Sequence, residues 1–499
     1  MRAAWGFLVI GLALLTGKAQ AASCDDLAAH PPAGMDISAT STVAPDICRV
    51  QGHLSPVPGS RIGFELWLPV TGWNGKFQMV GNGGYSSSLD TRAMTALVSR
   101  GYAVAATDTG HSGDDPDFVI GHPEAMSDWA YRAVHSTAVA AKTLIGAYYG
   151  QAPRYSYFSG CSTGGQQALM EAQRFPADFD GIIAGDPGNN RTRLNLGFLW
   201  MYRQSHRPDG SLIIAPEKLP LITAAMLKAC VGKDGGLPTD GFLTDPARCR
   251  FEPRTLACRK DTADQGQCLT AEEVKAVAAI YKGARNPRTG DQLYYGWAKG
   301  SEAGWRAYWA DPMKPEQPAR LNFWRHWIFR DAGWQAQTFD FDHDVAKLNQ
   351  TATLIDAVNP DLSAFAAADG KLIQFHGQAD PVVPPAESTG YHMRVQTALG
   401  HAPSSFYRLF MVPGMSHCQG GPGLTGVNAQ DALEAWVETG RAPDYLTGIK
   451  YRTPNPAANT TDNIAFSRPV CAYPARARYT GKGDSDSAAN YTCEIPKSR

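Results

Sequence analysis

The stretch "FSGCSTGGQQ" at 158–167 constrains this chain more than any other. Gly160, Ser162 and Gly164 form a G-x-S-x-G motif, preceded by the β-like run "YSYFSG" (155–160) and followed by the helical run "GGQQALMEAQRF". A strand, a turn too tight for side chains beside the serine and then a helix raise a strained hydroxyl above a sheet, which is how a serine nucleophile is presented. Cys161 is the alternative nucleophile, but such a turn exposes its central residue, Ser162, and not the residue before it.

The rest of the chain supplies the matching architecture. Short apolar or β-branched runs at 62–69, 76–82, 102–108, 181–187, 371–377 and 406–414 alternate with helical patterns, so an α/β sheet with helices on both faces is expected. The run "DWAYRAVHSTAVAAKTLIGAYYG" before the serine strand predicts a long crossover helix. Between Asn190 and Asp361 the alternation lapses. That region carries Trp200, Trp297, Trp305, Trp309, Trp324, Trp327 and Trp334, and a helix whose capping box is Thr270 with Glu273. It reads as a mainly helical, Trp-rich lid (190–361) inserted into a core made of 22–189 and 362–499, as a chain of 499 residues allows.

A serine hydroxyl needs a base within hydrogen-bond reach and a third group to orient that base. "FHGQADPVVPP" places Asp380 just past a strand, and "VPGMSHCQGG" places His417 after the next one. The chain order Ser162, Asp380, His417 is that of an α/β-hydrolase. A turn-forming Asp before Pro381 and an ordinary loop histidine are the plainer readings of the last two. One oxyanion donor is the N–H of Thr163, and the Gly-rich turn "GNGG" offers the other, Gly84 or alternatively Gly83.

Ten cysteines make five disulfides the default if the chain is exported. Export is expected: "MRAAWGFLVIGLALLTGKAQAAS" has an early Arg, an apolar run of Trp5–Leu15 and an Ala19-Gln20-Ala21 ending, so 1–21 reads as a signal peptide and the protein as secreted or periplasmic. Eight cysteines fall into close pairs: Cys24 with Cys48, Cys230 with Cys249, Cys258 with Cys268, and Cys471 with Cys493. The remaining two flank the candidate nucleophile and base. If His417 reaches Ser162, then Cys161 and Cys418 come within disulfide range, closing a loop worth on the order of 4 to 5 kcal/mol. With 46 Lys and Arg against 47 Asp and Glu, no nucleic-acid or anionic-membrane footprint is present, and no obligate protein partner is evident.

These motifs resemble the tannase and feruloyl esterase family. "GNGGY", "ATDTGH", "DWAYRAVH", "GCSTGGQQ", "DGIIAGDP", "TFDFDHDV", "HGQADP" and "GMSHCQGG" all look like its signatures, over almost the whole mature chain. The resemblance implies an α/β-hydrolase core with a late-inserted lid, five disulfides and hydrolysis of small esters of aromatic acids, with no cofactor required for the chemistry. It also implies a structural calcium ion in the lid. Asp234 and Asp240 match two of its acidic positions, but Val231 replaces the first and the spacing before Asp240 is two residues longer. In "RLNFWRHWIFRDAGW", Arg325, Trp327 and Arg330 are candidates to meet the acyl group, against the plainer reading of a lid-core helix with solvated arginines. A non-catalytic binding protein and a peptidase on the same scaffold are the rival functions.

Overall fold

The computed structural model describes residues 23–32, 35–43, 46–259, 265–400, 402–453 and 461–496. The expected signal segment at 1–21 lies outside the described residues. The main sheet has nine strands: β1 Asp36–Val43, β2 Asp46–Leu54, β3 Ile62–Pro69, β4 Lys76–Val80, β5 Ala103–Thr107, β6 Tyr155–Cys161, β7 Gly181–Gly185, β8 Lys371–Gly377 and β9 Tyr407–Val412. Their spatial order is β1-β2-β3-β5-β4-β6-β7-β8-β9. From β5 to β9 all pairings are parallel, whereas β1, β2 and β3 run antiparallel to their neighbours.

The parallel strands are short and apolar because both faces are covered. On β5, Ala103 and Ala105 enter one core and Val104 and Ala106 the other; Ile182 and Ile183 of β7 divide in the same way. Helices Ala133–Tyr149, Thr163–Arg174 and Pro385–Leu399 cover the first face, and Thr91–Val98 and Ala429–Thr439 the second. The strand order reverses between β4 and β6. In an open α/β sheet, the crevice at the carboxyl ends of such a pair is where ligands bind. The "GNGG" turn follows β4 and Ser162 follows β6, so both candidate elements open onto it.

Residues 190–361 lie between β7 and β8 and build a core of their own, joined by Tyr85, Trp129, Val382 and Val383. Among the described residues this segment contains helices and turns but no named strand. Six of its tryptophans are buried and Trp200 is partly so. The Thr270 capping box is present, with Thr270 N–H donating to Glu273 at 2.7 Å and Glu273 N–H to Thr270 Oγ1 at 3.3 Å. Beyond helix Ala429–Thr439 the chain leaves the main sheet. With Gly426–Val427, which precedes that helix, it forms a three-stranded sheet centred on Tyr445–Tyr451, then a hairpin of Arg476–Tyr479 with Tyr491–Glu494.

Candidate active site

Ser162 sits between β6 and helix Thr163–Arg174 with φ 63° and ψ −116°, a conformation that costs about 1–3 kcal/mol in a residue with a side chain. Three hydrogen bonds hold it there: Ser162 N–H to Gly185 O, and the N–H groups of Gly188 and Gln166 to Ser162 O, all 3.0 Å. The flanking glycines are required by space. A Cβ on Gly160 would stand 2.5 Å from the Gly164 carbonyl carbon, and one on Gly165 2.4 Å from Gly185 O.

The other two residues of the expected triad meet directly. His417 Nδ1 lies 2.7 Å from Asp380 Oδ2, so Nδ1 carries the proton and Nε2 is the free ring nitrogen. Asp380 is fully buried, and its Oδ1 accepts the N–H groups of Val382 at 2.7 Å and Val383 at 3.0 Å. Burial works against the Asp380 charge, but the nearby His417 and His376 rings outweigh it and hold the carboxyl far below its usual range. Burial also disfavours a charged His417, yet the Asp380 carboxylate raises the imidazole above its ordinary value.

Ser162 Oγ makes no hydrogen bond to His417. What joins their loops is the Cys161–Cys418 disulfide, with its Cα atoms 5.8 Å apart. Triad contacts are often long in the absence of substrate and close around it. The other four bridges pair Cys24 with Cys48, Cys230 with Cys249, Cys258 with Cys268, and Cys471 with Cys493.

The "GNGG" turn is tied to the serine turn by its carbonyl: Thr163 Oγ1 donates to Gly84 O at 2.6 Å. Gln167 and Asn82 exchange two further bonds, at 3.0 and 3.1 Å. The N–H groups of Thr163, Gly83 and Gly84 donate to no protein acceptor among the described residues. Gly84 has φ +59°, and a Cβ there would strike Asp114 Oδ1 at 2.8 Å, so only glycine shapes this turn.

Three residues that the motifs do not single out complete the surroundings. Arg191 is buried beside the stacked rings of Tyr85 and Trp129, 5.4 Å from each, and donates to Thr163 Oγ1 and, at 3.0 Å, to Gln166 Oε1. Asp186, at the end of β7, is fully buried, accepts Gly377 N–H at 2.8 Å and lies 3.6 Å from Cys161 Sγ. Burial pushes its carboxyl up to about 7. His376, also fully buried, stands between Asp186 and Asp380. Asp186 and His376 fall inside quoted motifs, whereas nothing in the sequence marks Arg191.

The remaining candidates lie further out. Trp327 is buried edge-on against Tyr85 and Trp129 and donates to Pro116 O at 2.7 Å. Arg325 donates to Trp334 O at 3.2 Å, and Arg330 is exposed at the end of that helical turn. Neither arginine is aimed at the serine turn by a contact of its own. Asp234 has its oxygens taken by the N–H groups of Gly236, Thr244 and Asp245. Asp240 accepts Leu237 N–H at 2.9 Å and faces the Arg468 guanidinium at 3.7 Å. Two carboxylates committed to donors, one beside a guanidinium, do not fit a calcium cage, which needs six to eight oxygens. A cavity of about 470 Å³ between the insertion and the C-terminal strands is lined by Phe251, Trp297, Lys299, Met411, Tyr473 and Arg476, among others, but by none of Ser162, Asp380 and His417.

A parallel sheet with a serine on a strained strand-to-helix turn, and an Asp–His pair on the loops after β8 and β9, defines an α/β-hydrolase. Residues 48–494 match the family described as "Tannase and feruloyl esterase", and the chain belongs to that family. It is 36% identical to an uncharacterized esterase of Xanthomonas campestris pv. campestris, over 97% of this chain and 93% of that one. It is 30% identical to feruloyl esterase B of Aspergillus niger, over 90% of this chain and 87% of that one. The crystal structure of feruloyl esterase B from Aspergillus oryzae superposes with a TM-score of 0.84 at 27% identity, covering 94% and 99% of the two chains. The protein is a carboxylic ester hydrolase.

Proposed function

We propose that the chain hydrolyses esters of aromatic acids through an acyl-enzyme on Ser162, with His417 as general base, Asp380 as its orienting acid and the Thr163 and Gly84 N–H groups as oxyanion donors. The observation that carries this reading is the 2.7 Å Asp380–His417 contact, held beside the serine turn by the bridge between Cys161 and Cys418. Because Nδ1 is committed to Asp380, Nε2 is the nitrogen that takes the proton from Ser162 Oγ as it attacks the ester carbonyl. The oxyanion forms beside two uncommitted N–H groups. Collapse expels the alcohol, which receives that proton from Nε2. Water, deprotonated by the same nitrogen, then releases the acid and restores Ser162.

The names of the relatives support aromatic acid esters as substrates. The insertion acts as a lid: Trp297 Nε1 donates to Pro381 O at 2.7 Å beside the acid turn, and Trp327 packs on Tyr85 beside the donor turn. The five bridges and the N-terminal pattern support export, and no helix among the described residues is long and apolar enough to cross a membrane. The test is a panel of methyl ferulate, methyl gallate, methyl 4-hydroxybenzoate and a terephthalate half-ester, with matched amides. Turnover of one or more esters, lost in Ser162→Ala, is the expected result. Faster turnover of the amides would point to a peptidase, and inertness toward all of them to a binding protein.

A further inference from the structure

Asp380 uses its two oxygens differently. Oδ1 is fixed by two N–H groups of its own turn, whereas Oδ2, the oxygen that faces His417, also lies 3.3 Å from His376 Nε2. That histidine is fully buried on β8. Its Nε2 also lies 3.0 Å from Val383 O and 3.8 Å from Asp186 Oδ1, and its Nδ1 lies 2.7 Å from Ser388 Oγ.

The tautomer follows from the donors behind it. The Tyr407 hydroxyl donates to Gln374 Oε1 at 2.6 Å, which fixes the amide so that Gln374 Nε2 donates to Ser388 Oγ at 2.6 Å. Ser388 therefore has its own hydrogen to give, and the acceptor is His376 Nδ1. The proton of a neutral His376 must then sit on Nε2, bonded to Val383 O at 3.0 Å with Asp380 Oδ2 3.3 Å away. Burial disfavours a charged ring, but Asp186 and Asp380 raise the His376 imidazole above its ordinary value; the Nε2–H is present in the charged form as well. The ionisable groups around the ring are Asp380 on its own turn, Asp186 at the end of β7, Glu387 on helix Pro385–Leu399 and His417 on the loop after β9.

We propose that His376 is a positioning residue of the reaction. Its Nε2–H, oriented by the chain Tyr407–Gln374–Ser388, holds the Asp380 carboxylate with Oδ2 toward His417 and stands between that carboxylate and the second buried carboxyl, Asp186. The inference rests on the triad reading above. It predicts that an apolar ring substitute loses more than stability, because the carboxylate can then rotate about its Oδ1 anchor and the His417 ring loses its fixed partner.

The experiment compares wild type, His376→Leu, His376→Gln and Ser388→Ala. Loss of such a supporting partner should lower kcat about tenfold to a hundredfold in His376→Leu, with KM changed less than about twofold. His376→Gln carries an amide N–H in reach of the Nε2 position and should recover most of kcat. The far-downfield proton resonance of the Nδ1–H shared by His417 and Asp380 should be lost or broadened in the Leu variant and present in the Gln variant, a signature that stability alone does not move. If the Leu variant does not fold, Ser388→Ala carries the test with the same two readouts, because it removes one hydroxyl and frees the tautomer. An unchanged kcat and resonance in the folded Leu variant, or in Ser388→Ala when it stands in, would overturn the proposal. So would a Gln variant no better than Leu. Failure of wild type to be labelled at Ser162 by a fluorophosphonate would instead refute the triad reading, so the two failures are distinguishable.

Discussion

Replacing Cys161 and Cys418 together by alanine removes a link whose ends are 257 residues apart in sequence. Loop-closure entropy for that separation is worth about 5 kcal/mol, and the shorter internal bridges reduce it only slightly because the dependence is logarithmic. Unfolding entropy of about 2 cal/mol/K per residue, over roughly 480 residues, totals about 1 kcal/mol/K, so the expected fall in Tm is about 5 °C. The effect on activity has a separate cause. The link lies next to both Ser162 and His417, and Cys418 has a positive φ of 66° that the bridge helps to hold. With the link gone, the loop after β9 can drift by an ångström or so, which is enough to cost about tenfold or more in kcat. The assay is differential scanning calorimetry alongside kcat and KM on an aromatic methyl ester, wild type against the double variant. A variant within about 1 °C and about twofold of wild type would refute the reasoning, since neither the entropy nor the alignment would then depend on the bridge.

The raised His417 pKa places the acid limb of kcat/KM above the ordinary histidine value of about 6.5, because only the neutral ring can accept the serine proton. Asp380→Asn removes the charge that raises it, so that limb should move to lower pH while the rate falls. Asp186 is held protonated up to about 7, so the stability of its neutral form is complete below about pH 4 and is lost as pH rises through 7. Asp186→Asn keeps the acceptor for Gly377 N–H and should gain in Tm relative to wild type across that interval; a constant difference would contradict this. Gly160→Ala should abolish the folded serine turn, read as loss of both soluble protein and activity, because its Cβ has no room against Gly164. Arg191→Lys keeps the charge but loses the planar fork that donates to both Thr163 Oγ1 and Gln166 Oε1, and should cost about tenfold in kcat/KM.

Much of this arrangement was legible in the sequence, for physical reasons. Strands buried on both faces show as short apolar runs, and the readings at 62–69 and 371–377 coincide with β3 and β8. The glycines around Ser162 declare a turn that no other residue can make. Edge strands carry a weaker signal: β1 is "DISATSTV", mostly polar, with Asp36, Ser38, Thr40 and Ser41 exposed, and was not readable as a strand. The C-terminal strands likewise lack apolar runs, so their departure from the main sheet was hidden. Asp380 and His417 were readable because each follows a strand. The partners of Asp380 were not, since His376, Ser388, Gln374 and Tyr407 meet only when two strands and a helix are packed together. Arg191 was the least visible. A buried guanidinium is set by the rings that close around it, one from the "GNGGY" turn and one from the crossover segment, and not by its neighbours in sequence.

Mass spectrometry of the protein after an aryl fluorophosphonate, run beside hydrolysis of an aromatic methyl ester, tests the central claim most directly. The account predicts one adduct per chain, on the peptide that contains Ser162, with hydrolysis lost in proportion to labelling and no adduct in His417→Ala. Undiminished ester turnover in fully labelled protein, or an adduct on a residue other than Ser162, would contradict it.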